Sequence, residues 1–157
     1  MVQIRKMRQD EFKAYYNYFI EDYSQEIAEN YGSPVNEAIE HAKKELNQSF
    51  PHGIDDDNDL LFCIDTEING TAILIGYLWY SINIASNSAF IYDFYIKEEF
   101  RSQGYGKLTI IALEKRLSTI GIPEIKLRVA FKNKRALKLY DEVGFKITGY
   151  NMSKCIG

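Results

Sequence analysis

The densest run of potential chemistry is Ile91–Lys107, Ile-Tyr-Asp-Phe-Tyr-Ile-Lys-Glu-Glu-Phe-Arg-Ser-Gln-Gly-Tyr-Gly-Lys. A β-prone aromatic stretch ends there, a glycine-bearing turn follows, and an amphipathic helical pattern begins at once. Such a helix start offers unpaired backbone N–H groups and the positive end of a dipole, which suit a phosphate or pyrophosphate. Gly104 and Gly106 let a ligand approach the backbone, and Arg101 and Lys107 add positive charge. Two phosphate-binding patterns fail here. A dinucleotide fingerprint needs a glycine where Thr109 stands, and a Walker loop needs glycine at Arg101 and Ser/Thr at Leu108. A plain glycine-rich strand–helix turn would give the same run without a ligand.

A second constellation is Asn133-Lys-Arg-Ala-Leu-Lys-Leu-Tyr-Asp-Glu-Val-Gly-Phe145. Asn133 follows a strand pattern and can cap the helix through its side chain. Ala136 and Tyr140 stand four apart and share a helix face. A tyrosine there can donate its phenolic proton to a leaving group or anion. The chain holds 12 tyrosines, so a core tyrosine bonded to backbone explains the position equally well.

These segments need a scaffold, and the hydrophobic pattern supplies one. Val2 and Ile4 suggest a first strand. Asp10 reads as the cap of a helix running toward Tyr23, and Ser33-Pro34 as the start of another reaching about Asn47. Residues 50–58 read as a polar loop that does not pack. Strands follow at Leu60–Thr66, Ala72–Ile82 and Ala89–Ile96, the first two joined by an Asn69-Gly70 hairpin turn. A helix over Lys107–Thr119, a strand over Glu124–Phe131, a helix over Lys134–Val143 and a last strand over Phe145–Lys154 complete the order β-α-α-β-β-β-α-β-α-β. This is a mixed α/β domain.

At 157 residues the chain is one domain, 1–157, large enough for a core without disulfide or metal staples. Its two cysteines, Cys63 and Cys155, form no framework and fit a cytoplasmic setting. No membrane segment is expected, because the longest apolar run, Ala72–Tyr80, is too short to span a bilayer. The net charge of −3 argues against a nucleic-acid binder. The charge is uneven, however. Residues 1–60 carry 6 Lys/Arg against 13 Asp/Glu, whereas residues 61–157 carry 13 against 9. His41 and His52 are isolated, so no metal is expected.

Taken together, Arg-x-x-Gly-x-Gly at 101–106, Asn-x-x-Ala-x-x-x-Tyr at 133–140 and Gly-Phe at 144–145 resemble the GNAT superfamily of acyl-CoA-dependent N-acetyltransferases. The resemblance covers roughly residues 72–150. It implies an α/β fold with a mixed sheet of six to seven strands, splayed between strands 4 and 5, and about four helices. Acetyl-CoA would lie in the gap. The backbone of Phe94 and Ile96 would pair with the pantetheine arm. The amides of Arg101, Ser102, Gln103, Gly104, Tyr105, Gly106 and Lys107 would cradle the pyrophosphate. Asn133 would meet the pantetheine chain, and Ala136 would leave room beside it. Tyr140 would be the general acid at the thioester sulfur. That role is chemically sound: a thiol titrates at roughly 8.5 and a phenol near 10, so tyrosine stays protonated at working pH.

Some members of the family, polyamine acetyltransferases among them, carry a carboxylate two residues before the position of Phe94. Here that residue is Tyr92, with Asp93 beside it. Strand alternation predicts opposite faces for the two, leaving Asp93 either a base acting through water or a partner buried under a helix. The acceptor would be a primary amine, and acidic and aromatic residues suit a cation: Tyr15, Tyr16, Glu21, Asp22, Tyr23 and Glu26, or Asp55, Asp56, Asp57 and Asp59. A polyamine, an aminoglycoside, another small amine and a peptide amino group all stay open, as does a non-catalytic acyl-CoA-binding module. Domains this small often pair, so a homodimer is also an open expectation.

Overall fold

The computed structural model describes residues 1–157. Strand β1 (Val2–Lys6) leads through a 3₁₀ turn (Gln9–Glu11) into helix α1 (Phe12–Tyr31), and α2 (Val35–Ser49) follows. Strands β2 (Leu61–Ile68), β3 (Thr71–Asn83) and β4 (Ser88–Ile96) form the middle of the chain. Helix α3 (Tyr105–Thr119), strand β5 (Glu124–Leu127) and helix α4 (Lys134–Glu142) complete the elements. The strands lie in the order β1-β2-β3-β4-β5. The first four pair antiparallel, and β5 joins β4 in parallel across the α3 crossover.

Both sheet faces are covered, so the central strands read as near-continuous apolar runs. Phe62, Ile64, Ile75, Leu78 and Tyr80 point toward α3, where Ile110, Leu113 and Leu117 meet them. Leu61, Cys63, Tyr77 and Trp79 point the other way, onto Tyr15 and Phe19 of α1 and Leu46 of α2. Each large side chain fully buried in this way contributes about 1.5–3 kcal/mol before conformational costs. Ala38, Ala42 and Leu46, spaced four apart, turn one buried stripe of α2 inward. At Asn69-Gly70 both residues have positive φ, 52° and 80°, the hairpin geometry that the dipeptide favours.

The sheet has five strands rather than six to seven. Residues 145–157 form no strand, and Ile147, Tyr150, Met152 and Ile156 are exposed, so the apolar residues of this tail find no partner strand within the chain. Strand β5 stops at Leu127 instead of reaching Phe131. Helix α1 runs on to Tyr31 because Ile27 still packs inward, and it ends where Gly32 takes a φ of 65°. Neither Asp10 nor Ser33 is a cap: Arg8 opens the 3₁₀ turn and Pro34 precedes α2. The 50–58 loop does pack, with Phe50 and Ile54 buried against Trp79 and its neighbours.

The expected splay is present. Strand β4 pairs with β5 only from Ser88↔Glu124 to Ile91↔Leu127, and beyond Ile91 it continues to Ile96 without that neighbour. The N-terminus of α3 borders the resulting cleft. It also packs on α4, since a Cβ on Gly106 would stand 2.9 Å from Leu139 Cδ2.

Candidate active site

The cleft begins with an irregularity in β4. Trp79 pairs with Asp93 and Tyr80 with Ile91, so Tyr92 is an extra residue opposite β3. This β-bulge cancels one step of alternation. Tyr92 stacks on Trp79 at 5.0 Å, and Asp93 reaches α1, so both lie on the α1 face. The expectation of opposite faces is therefore wrong, because it assumed an unbroken strand period. Beyond the bulge, Phe94 and Ile96 return to the α3 side and Tyr95 to the α1 side.

Asp93 is the focus of the site. Tyr15 Oη donates to its Oδ2 at 2.9 Å, and Tyr18 Oη lies 3.1 and 3.2 Å from the two carboxylate oxygens. Burial pushes the carboxyl up to about 7, against the downward pull of the two phenols. Asp22 and Glu26 on α1 raise it further by like charge. Burial also raises both of those carboxyls, with Arg101 and Arg135 opposing the shift at Asp22. The charge of Asp93 also reaches Tyr140 on α4. Burial raises its phenol well above the ordinary range, the charges of Asp93 and Glu26 add to that, and Arg135 opposes it. Its ring packs edge-on against Phe145 at 5.4 Å. Burial thus leaves a carboxyl raised toward neutrality at Asp93 and a phenol that stays protonated at Tyr140.

The backbone that leads into the first turn of α3 leaves a run of amides unpaired. The N–H groups of residues 102–107 donate to no backbone carbonyl; the first amide of this region to do so is that of Leu108, to Gly104 at 3.0 Å. Ser102 and Gly104 take positive φ, 60° and 87°, which turns successive amides outward. Ser102, Gln103, Gly104 and Lys107 are exposed, and Tyr105 packs on Phe100. The Gln103 side chain is tied to the Glu99 carbonyl at 3.1 Å. These residues fit the pyrophosphate of a nucleotide-bearing thioester: six open donors, left-handed turns and a helix dipole.

Arg101, expected to lend its amide to the cradle, offers no open one, because its N–H donates to the Glu98 carbonyl at 3.1 Å. Its Nε donates to the Ile96 carbonyl at 2.8 Å and its guanidinium lies 5.2 Å over the Tyr95 ring. These contacts tie the side chain to the end of β4. Asn133 does cap α4, its Oδ1 accepting from the Ala136 amide at 3.1 Å, and Ala136 and Tyr140 follow on one face. Of the loop aspartates, Asp56 accepts through Oδ1 from the Gln9 amide in the 3₁₀ turn. Sequence reading did not single out Tyr18. The spacing of Tyr15, Tyr18 and Phe19, which share a helix face, is the signal that could have found it.

Three comparisons bear on this geometry. Residues 12–145 match the profile described as the Acetyltransferase (GNAT) family. The uncharacterized N-acetyltransferase YycN of Bacillus subtilis is 29% identical over 155 residues, 98% of this chain and 97% of its own. Its crystal structure superposes with a TM-score of 0.86, covering 99% of both chains. The uncharacterized N-acetyltransferase YdgE of the same organism is 26% identical over 96% of each chain. The PaiA N-acetyltransferase of Thermoplasma acidophilum, solved in complex with coenzyme A, has a TM-score of 0.67 at 22% identity, covering 96% of this chain and 93% of its own.

Proposed function

The chain belongs to the acetyltransferase (GNAT) family, and from that membership we propose direct transfer of acetyl from acetyl-CoA to the primary amine of a small cationic acceptor. What supports this reading is a carboxyl raised by burial, Asp93, whose charge also acts on the Tyr140 phenol, beside the stretch of β4 that runs on past β5. Acetyl-CoA supplies an acyl group already activated as a thioester. The amides of residues 102–107 would hold its pyrophosphate, and the end of β4 at Phe94–Ile96, which has no β5 neighbour, would align the arm beside α4, with Asn133 and Ala136 along it.

The residues then divide the proton work. An amine arrives protonated, and Asp93 takes its proton, directly or through water, because a carboxyl near 7 is half ionised at neutral pH. Tyr140 Oη donates to the departing sulfur. Positioning both partners in one cleft supplies much of the acceleration. Asp22, Glu26 and Asp93 gather negative charge that favours a cation. That combination supports a polyamine- or aminoglycoside-like acceptor over a peptide amino group.

Turnover of spermidine, tobramycin and a lysine-bearing peptide with acetyl-CoA, followed by thiol release, tests the reading. The small polycations should be acetylated with higher kcat/KM than the peptide. A preference for the peptide would reassign the acceptor, and no turnover at all would favour a binding-only module. The reading places the protein in the cytoplasm, where acetyl-CoA is made and where free Cys63 and Cys155 stay reduced. A homodimer through the exposed tail of residues 145–157 is part of the same proposal, and light scattering tests it.

A further inference from the structure

Asp93 could have been held by an arginine or by backbone amides; instead two phenols from successive turns of α1 hold it. Tyr15 is fully buried, and Tyr18 is wedged between the rings of Tyr95 at 4.0 Å and Tyr77 at 5.4 Å. Neither ring is free to swing away, so both hydroxyls arrive preset. The carboxylate itself is preset by the bulge at Tyr92, which turns Asp93 onto the α1 face. Both phenols are raised far above the working range, by burial first and the Asp93 charge second, so they act only as donors.

We propose that Tyr15 and Tyr18 are positioning residues for acetyl transfer, a phenol clamp that fixes the Asp93 carboxylate toward the amine and keeps it ionised enough to accept a proton. The inference rests on the acetyltransferase reading and deepens it by giving α1 a part in the reaction. The groups around Asp93 make the clamp necessary. Asp22 and Glu26 on α1 repel its charge, Tyr140 on α4 is a neutral donor, and the two cations of this region, Arg101 and Arg135, act on Asp22. Tyr77 and Tyr95 flank the phenols as neutral rings. Among the groups that act most strongly on Asp93, the two hydroxyls are the ones that favour the ionised form. A cationic partner would have held Asp93 permanently charged and far less basic.

The test compares Tyr18→Phe and Tyr15→Phe with the parent and with Asp93→Asn, measuring kcat/KM against pH with spermidine and tobramycin. Acceptor ionisation is common to all, so only differences between proteins count. Losing a donor to a charged carboxylate should move the acidic limb upward by about 1–2 pH units in Tyr18→Phe. Activity at high pH should return to within about threefold of the parent, and Asp93→Asn should lose the limb. A limb that stays in place while the rate falls uniformly would assign the phenols to folding alone and overturn the proposal. Tyr18→Phe keeps the ring, so Tyr15→Phe is dispensable if it fails to fold. If neither amine turns over, the acetyltransferase reading is in trouble on its own account. The carboxyl carbon of Asp93, followed by NMR with labelled aspartate, then decides the clamp. A midpoint near 7 that rises in Tyr18→Phe supports it, and an unmoved midpoint overturns it.

Discussion

Replacing Tyr140 with phenylalanine removes one oxygen from the cleft and little else. The ring keeps its edge-on contact with Phe145 at 5.4 Å, and burial and neighbouring charges, rather than a hydrogen bond, account for its raised phenol. Stability should therefore change by less than about 0.5 kcal/mol, which moves Tm by no more than about 2 °C for a domain of this size. The reaction should feel the loss far more. A hydrogen bond to a sulfur carrying developing charge is worth about 1.5–3 kcal/mol. At 1.36 kcal/mol per decade that is about 10- to 150-fold in rate, and full proton donation extends it to about a thousandfold. Stopped-flow thiol release under saturating acetyl-CoA and amine reads kcat, and calorimetry reads acetyl-CoA binding. The expected result is a kcat lower by one to three orders of magnitude with nearly unchanged Kd. An unchanged kcat would remove Tyr140 from the chemistry. A large rise in Kd would make it a binding residue.

Other perturbations separate the scaffold from the site. Arg5 bridges Glu11 and Asp65, with contacts of 2.8 and 2.6 Å, and this pairing holds Glu11 down to about 2. Because the folded value is depressed, the stabilisation is present above the ordinary carboxylate range and lost as pH falls from about 4.5 through about 2. Glu11→Gln should cost about 2–3 kcal/mol at pH 7 and flatten the acid limb of stability in urea titrations; an unaltered pH slope would contradict this. At Gly76 a Cβ would stand 2.1 Å from the Tyr95 carbonyl oxygen, a backbone atom that cannot yield without parting β3 from β4. Gly76→Ala should lower stability by more than about 3 kcal/mol or prevent folding, whereas Gly149→Ala, with nothing within 4 Å, should leave the melting curve unchanged. Arg101→Ala should raise KM for the amine as well as for acetyl-CoA, because it frees the Ile96 carbonyl and Tyr95; a rise for acetyl-CoA alone would return Arg101 to the phosphate site.

What could be read from the chain was local. Asn133 caps its helix because a short side-chain oxygen there can accept from the free Ala136 amide, and Gly104 opens α3 because the turn demands left-handed backbone. The order of elements and the splay followed from such signals joined to the family pattern. What could not be read depends on register between distant strands. The bulge at Tyr92 exists only where Trp79 and Tyr80 of β3 meet β4, and it alone puts Asp93 under Tyr15, 78 residues away. Likewise the tail from Phe145 alternates enough to suggest a strand, but a strand needs a neighbour, and β5 ends too early to be one.

Titration calorimetry of the purified protein with acetyl-CoA, with NADH and ATP as controls, tests the central claim most directly. Saturable micromolar binding of acetyl-CoA, absent for NADH and weaker for ATP, is the predicted result, because the open amides of residues 102–107 and the free edge of β4 suit one ligand that bears both a pyrophosphate and an extended arm. No heat with acetyl-CoA, or equal binding of all three, would contradict the assignment of the cleft.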